Sequence, residues 1–123
     1  MPDQLNRSRA AKFRELVRLF LGSEGVHVER RPHAYRLSEA LAEDFPASHL
    51  TGLPTWAVLT RNERTFDPSG ALDAAQSAAK HDGKQRAAVV QFRATRPAGE
   101  AYVFMTLEAF ASVLRDDIER ATS

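Results

Sequence analysis

Short apolar segments alternate with helical segments along this chain of 123 residues, and that alternation leaves few possible folds. The run TWAVLT (55–60) follows a glycine and a proline, is rich in β-branched and aromatic residues, and predicts a strand. AAVVQFR (87–93) and AYVFMT (101–106) predict two more strands, joined by a Pro/Gly loop of hairpin length. VHVERR (26–31) alternates in polarity and predicts an earlier strand.

Three helices are predicted between and around these strands. The first carries apolar residues at helical spacing and ends at Gly22 or Gly25, where glycine can adopt a left-handed conformation. The second, ALDAAQSAAKHD (71–82), follows the start signal DPSG (67–70) and ends at Gly83. The third is capped by Thr106. Its apolar residues fall on one face, as do those of the first helix: Phe13, Leu16, Val17, Phe20 and Leu21 in the first, Leu107, Phe110, Val113 and Leu114 in the third.

The element order αβββαββα predicts an α/β fold, a small mixed β-sheet flanked by helices on both faces. The stretch 32–51 is less regular: 37–44 fits a helical turn capped by Ser38, and 45–50 fits a short strand or a loop. With no repeat and no long linker, we expect one domain over 1–123, with 1–8 and 119–123 as flexible ends.

Composition narrows the classes of function. The chain has no cysteine, which excludes disulfides, thiolate metal sites and cysteine nucleophiles and suits a cytosolic protein. It has no run of about 18 apolar residues, so we expect no membrane span. The four histidines do not show HxH or HxxxH spacing, and neither a phosphate-binding glycine loop nor a nucleophile elbow is present.

The net charge is only +1, but the basic residues are concentrated in two segments. Residues 1–36 contain eight basic and four acidic residues, and residues 84–98 contain four basic residues and no acid. If these segments meet in space, they form an anion-binding face. Charge alone favours the alternative of ordinary solvated surface.

Several stretches together resemble the small Holliday-junction-resolvase-like nucleases of the PD-(D/E)xK restriction-endonuclease-like superfamily, many of which are phage proteins. AKFRELVRLFLGSEG followed by VHVERRP is similar to their opening helix and strand. GLPTWAVLTRN (52–62) is similar to a Gly-Leu-Pro segment and a tryptophan-bearing strand that ends in Glu-x-Lys-Asn. AAVVQFR and AYVFMTLEAF match the later blocks, and the resemblance covers about residues 10–115.

The departures from that family concern its catalytic positions. Alignment on Gly-Leu-Pro puts His49 at the metal-binding aspartate, Leu59 at the glutamate and Arg61 at the lysine. Leucine cannot bind a metal, one imidazole is not a site, and an arginine stays protonated and cannot act as a base. The resemblance therefore implies a nuclease fold without its catalytic metal centre, so we expect no cofactor and no metal ligands.

Two other hypotheses about the function remain open. Glu15, Asp44 and Glu63 are acids that can converge as relocated ligands for Mg²⁺, which prefers carboxylate oxygens, and the chain is then a metal-dependent DNA endonuclease or junction resolvase. Alternatively, the chain is a purely structural phage head or tail protein in which the active-site cleft of the nuclease family has no role.

The leading hypothesis is a catalytically inactive nuclease-fold phage protein that acts by binding DNA or a phage or host protein. The predicted nucleic-acid contacts are five arginines: Arg14, Arg30, Arg31, Arg61 and Arg93. We expect no membrane partner and a location in the bacterial cytoplasm or in the virion. A homo-oligomer or a place in a larger assembly is compatible with this hypothesis.

Overall fold

The computed structural model describes residues 2–31, 48–63 and 65–122, with side chains from residue 9 onward. Within these ranges the helices are α1 (Pro2–Ser23), α2 (Pro68–Asp82) and α3 (Leu107–Thr122). The strands are β1 (Glu29–Arg30), β2 (Leu50–Thr51), β3 (Trp56–Arg61), β4 (Arg86–Gln91) and β5 (Tyr102–Phe104). A short 3₁₀ helix, Ala98–Glu100, precedes β5.

The strands form one mixed sheet in the order β1-β2-β3-β4-β5. β1, β2 and β3 are antiparallel neighbours, and β5 runs antiparallel to β4. β3 and β4 are parallel and are connected through α2, as a parallel pair requires a crossover. The predicted order αβββαββα and the predicted mixed sheet with flanking helices are confirmed.

One face of the sheet packs against α1. Phe13 and Val17 on α1 are buried against Leu50 of β2 and Val58 of β3. The aromatic ring of Phe13 also meets Phe92 edge to face, with ring centroids 5.4 Å apart. Of the apolar face predicted for the first helix, Phe13 and Val17 contact the sheet, whereas Leu16 and Phe20 are exposed.

The other face packs against α2, whose buried side chains are all alanine: Ala71, Ala75, Ala78 and Ala79. They contact Leu59 of β3 and Val89 of β4, which are register partners in the parallel pair. Because alanine adds little width, α2 approaches the sheet closely, and these side chains form a second apolar layer.

Glycines end α1 and α2 where the sequence predicted a stop. Gly83 follows α2 with a φ of 68°, and its N–H donates to the last turn. After α1, Gly25 has a φ of 85°, and the N–H of Val26 donates to the Leu21 carbonyl at 2.8 Å. This hydrogen bond marks Gly25, rather than Gly22, as the glycine that turns the chain.

α3 begins as predicted but packs differently from α1 and α2. The backbone N–H of Ala109 donates to Thr106 Oγ1 at 3.1 Å, so Thr106 caps the helix. Ala109 and Ser112 are its buried residues within the described part of the chain. The apolar face predicted from the sequence is exposed to solvent instead of lying on the sheet.

Other local differences are small. β1 contains two residues rather than the six predicted, and Arg61 belongs to β3 rather than to the following loop. The predicted turn at Ser38 lies outside the described residues. In the described ranges, the helices are too short or too polar to cross a lipid bilayer.

Candidate functional site

The three positions that the resemblance assigns to catalysis lie around the start of β2 and the end of β3. His49 immediately precedes β2, and Leu59 and Arg61 belong to β3. Leu59 is only 3% exposed and packs in the layer under α2 beside Val89. Its side chain is part of the apolar core.

His49 is fixed by Thr60 of β3. The backbone N–H of Thr60 donates to His49 Nδ1 at 2.9 Å, and the Thr60 hydroxyl lies 3.2 Å from the same nitrogen. Arg14 of α1, itself buried, donates from Nε to Thr60 Oγ1 at 3.1 Å. These contacts connect α1, the start of β2 and the end of β3.

The imidazole of His49 is neutral over most of the pH range. Burial and the positive charges of Arg14, Arg61 and Arg31 together lower its pKa from 6.5 to about 3. The structure therefore brings three of the five predicted arginines into the electrostatic surroundings of one buried histidine.

The hydrogen bond from Thr60 also fixes the tautomer of His49. Because Nδ1 accepts, the proton of the neutral ring resides on Nε2. Nε2 is buried and, within the described ranges, has no hydrogen-bond partner. It is therefore an unused donor in a positively charged region.

Arg61 lies at the end of β3 and is mostly buried, with 17% of its side chain exposed. Its ion pair with Glu63 is loose: Nε is 3.7 Å from Oε1, beyond hydrogen-bond distance, and Glu63 is half exposed. Because the positive charge of this buried guanidinium is balanced so weakly, an additional anion nearby would stabilise it.

Gln91, the register partner of Arg61 on β4, supports the same edge of the sheet. Its amide Nε2 donates to the backbone carbonyls of Glu63 and Phe92, at 3.2 and 3.3 Å. Because β3 and β4 are parallel, both strands end at this edge, where the crevice of an open α/β sheet usually binds its ligand.

Arg31 is held on the α2 side of the sheet. It donates from Nε to the Ser48 carbonyl at 2.8 Å and from Nη2 to Asp82 Oδ2 at 2.9 Å. The same Asp82 oxygen accepts from the backbone N–H and the hydroxyl of Ser48, at 2.8 and 2.6 Å. Burial raises the pKa of Asp82, but these hydrogen bonds and the charge of Arg31 lower it more. Arg31 thus supports the segment that carries His49.

Arg30 and Arg93 have partners of their own. Arg30 pairs with Glu15 of α1 at 3.3 Å, and Arg18 hydrogen-bonds the same carboxylate. Those hydrogen bonds lower the pKa of Glu15, although partial desolvation opposes them. Arg93 donates to the Glu100 carbonyl at 3.1 Å and lies 4.3 Å from the centre of the Tyr102 ring.

The proposed relocated acids do not form a common site in the part of the chain described here. Glu15 lies between two arginines of the α1 side, Glu63 lies beside Arg61, and Asp44 is outside the described residues. Among the residues whose positions are described, no three His, Asp or Glu side chains lie close enough to share a metal ion.

Sequence reasoning missed Thr60, Gln91 and Asp82, which hold the predicted residues in position. Thr60 and Gln91 occur in strands whose polar residues give no signal beyond strand alternation. Asp82 precedes the helix-ending Gly83, so its position suggested only a helix terminus.

Comparison of the chain with protein-family models, with curated proteins and with solved structures gave no match.

Proposed function

We propose that this chain is a catalytically inactive nuclease-fold phage protein that acts by binding, and that its ligand is the phosphate backbone of DNA. The observation that carries the proposal is Arg61: a mostly buried guanidinium at the end of β3 whose nearest carboxylate among the described residues is 3.7 Å away. A phosphate group offers such a guanidinium two hydrogen-bond acceptors in matching geometry.

The groups around Arg61 favour an anion over a cation. Arg14 and Arg31 add positive charge close enough to contribute to the lowered pKa of His49. A divalent cation in the same region meets repulsion from these arginines. Position 59, where the resemblance expects a glutamate, carries a buried leucine that offers no oxygen ligand.

We propose a location for the protein as well as a partner. As a phage protein it works in the bacterial cytoplasm or within the virion, in contact with DNA that it holds without cutting. If DNA proves not to be the ligand, a phage or host protein replaces it as the proposed partner of the same site, and a structural role in the head or tail follows if neither binds.

A salt titration tests the DNA proposal. We expect the purified protein to bind duplex DNA and a four-way junction in an anisotropy assay, with affinity that falls as salt rises from about 50 to 200 mM. Arg61→Ala should weaken binding to all sequences and flatten the slope of log K against log salt by about 0.9, the value of one phosphate contact. Arg61→Lys should keep the slope but bind less tightly than the parent, because it loses the two-pronged contact.

Lys80→Ala is the matched control. Lys80 is exposed near the end of α2, just before β4 begins, and therefore lies at the opposite end of the parallel strands from Arg61. The control removes one positive charge and should leave the salt slope unchanged. Weak parent binding near physiological salt, with no change in Arg61→Ala, excludes DNA as the ligand and leaves the protein partner.

A cleavage assay separates binding from catalysis. With Mg²⁺ or Mn²⁺, we expect no cutting of branched, duplex or single-stranded DNA. Cutting that disappears in Asp44→Ala or Glu63→Ala would instead support the metal-dependent nuclease with relocated acids. A contaminating nuclease would not respond to either substitution.

A further inference from the structure

An apolar stripe runs along the solvent side of α3. Leu107 is 80% exposed and Ile118 is 63% exposed, and the stripe consists of Leu107, Phe110, Val113, Leu114 and Ile118. Such residues are normally the core-facing side of an amphipathic helix. Here the sequence builds a second apolar face that the described part of the domain does not cover.

The stripe lies opposite the side through which α3 touches the rest of the domain. At about 100° per residue, Leu107, Leu114 and Ile118 fall within a narrow sector, while Ala109 and Ser112 fall on the far side. Those two small residues are buried, and Asp116 on the same side pairs with Arg86 at 3.3 Å. α3 is therefore anchored by its small residues and presents its large apolar residues outward.

The size of this face points to a macromolecular partner. The stripe extends over about three helical turns, or roughly 16 Å. Contiguous apolar patches larger than a few hundred Å² are rare on monomeric proteins and usually mark an interaction surface.

The charges beside the stripe identify the kind of partner. α3 carries four acids and two bases: Glu108, Asp116, Asp117 and Glu119 against Arg115 and Arg120. An anionic lipid surface selects helices with a basic polar face, and DNA requires positive charge. The net negative charge of α3 disfavours both of these partners, which leaves a protein surface.

We propose that the apolar stripe binds a second copy of this chain, with the two α3 helices packed antiparallel about a two-fold axis. In this arrangement Leu107 lies level with the partner's Ile118, and the central residues Phe110 and Leu114 meet across the axis. An isologous contact of this kind buries the same face of both copies.

The flanking charges are self-complementary in that arrangement. Glu108 and Arg115 are seven residues apart and lie on the same side of the stripe. They are about 10 Å apart along their own helix, too far to pair with each other. In the antiparallel dimer each Glu108 lies close to level with the partner's Arg115, which gives two symmetric ion pairs. Within the described residues neither side chain has an ion-pair partner in its own chain.

The stripe supplies five residues, against about 20–30 per partner in a standard interface, so the dimer should be reversible. Sedimentation equilibrium of the full chain from about 1 to 300 µM should show a monomer–dimer equilibrium. Leu114→Glu and Leu107→Glu should each raise the dissociation constant by about tenfold or more, since each substitution places two charges in the apolar contact.

Leu19→Glu is the matched control, because Leu19 is a comparably exposed leucine on α1. It should leave the dissociation constant unchanged. Urea unfolding of each variant verifies that the monomer remains folded, which we expect because all three positions are exposed.

A charge exchange tests the antiparallel arrangement itself. Glu108→Arg and Arg115→Glu should each weaken the dimer by about tenfold, since attraction becomes repulsion at both symmetric contacts. An equimolar mixture of the two variants should dimerise again, and so should the double variant. Any of three results would overturn the proposal. The parent could stay monomeric over the whole range, Leu114→Glu could leave the dissociation constant unchanged, or the mixed charge variants could fail to dimerise.

Discussion

The backbone N–H of Thr60 donates to Nδ1 of His49 at 2.9 Å. Thr60 lies beyond the last residue pair of the β2–β3 ladder, so its acceptor is a side chain rather than a strand carbonyl. Ser48, which the antiparallel register places opposite Thr60, instead donates its N–H to Asp82 and accepts from Arg31 at its carbonyl. The histidine therefore completes the hydrogen bonding of β3 at the end that carries Arg61. This role requires a neutral ring, and burial enforces it.

We expect His49 to make the stability of the protein depend on pH in the mildly acidic range. In the unfolded chain His49 has its ordinary pKa of 6.5, while burial and the neighbouring arginines lower the pKa of the folded state to about 3. Between these values the unfolded chain binds a proton at this residue and the folded chain does not. Stability therefore falls as pH falls, by up to about 1.4 kcal/mol per pH unit.

Urea unfolding from pH 7 to pH 5, above the range in which most carboxylates titrate, measures this slope. His49→Asn keeps an acceptor near Thr60 and should remove most of the slope. His27→Asn, at an exposed histidine, should behave as the parent does. A slope that is the same in His49→Asn and the parent would show that His49 does not carry the effect.

We expect Asp82 to contribute strongly to stability at neutral pH. One of its oxygens accepts three hydrogen bonds, two from Ser48 and one from Arg31. Asp82→Ala should lower the free energy of unfolding by about 2–3 kcal/mol at pH 7, the range for bonds to a charged group. Because the pKa of Asp82 is lowered in the folded state, its contribution is present above the ordinary value of 3.8 and is lost as pH falls through the lowered value.

Chemical denaturation at pH 7 and at about pH 2.5 tests this prediction, and the difference between parent and Asp82→Ala should shrink in acid. Asp73→Ala, on the exposed side of α2, provides the comparison and should change stability by less than about 0.5 kcal/mol. An equal loss in the two variants would contradict a special role for Asp82.

The central part of the fold was predictable because several local signals agree there. β3 and β4 are continuous apolar runs, and α2 lies between a proline start and a glycine stop at Gly83. The bounds of β1 and the position of β2 were harder, because a strand of two residues is too short to show periodicity. β2 is positioned by pairing with β3, and β1 by pairing with β2.

The candidate site was only partly predictable. The sequence drew attention to His49, but Thr60, which fixes it, is 11 residues away, and Asp82, which holds the neighbouring Ser48, is 34 residues from that serine. The apolar face of α3 shows a second limit. Helical spacing locates a stripe such as Leu107–Ile118, yet it does not distinguish a face that packs in the domain from one that binds another molecule.

Gly22 and Gly25 should respond to alanine with opposite signs. Gly25 has a φ of 85°, so Gly25→Ala forces a side chain into the left-handed region and should cost about 1 kcal/mol. Gly22 lies within α1 with open space where a Cβ would be, so Gly22→Ala should stabilise the protein by about 0.5–1 kcal/mol. Thermal unfolding of both variants measures the difference, and a shift of the same sign in both would contradict the assignment of Gly25 as the helix stop.

Leu59 provides the sharpest distinction between a core position and an emptied metal site. It is 3% exposed and contacts the alanine face of α2, so Leu59→Ala should cost about 2–5 kcal/mol and Leu59→Met less than about 1.5 kcal/mol. Leu59→Glu introduces the residue that the nuclease resemblance expects, but it buries a carboxylate without a partner and should destabilise the protein more than Leu59→Ala does.

The measurement for Leu59→Glu is its melting temperature with and without Mg²⁺, beside the parent and Leu59→Met. We expect a large decrease that Mg²⁺ does not reverse, because the side chain at position 59 packs under α2 and Arg61 on the same strand face repels a cation. A Leu59→Glu variant that folds normally and melts higher with Mg²⁺, while the parent does not respond, would show that position 59 faces a cleft able to hold a metal. Leucine would then stand in place of a metal ligand at an otherwise intact nuclease site. The DNA-binding function proposed for Arg61 would then have to be compatible with a metal-binding cleft.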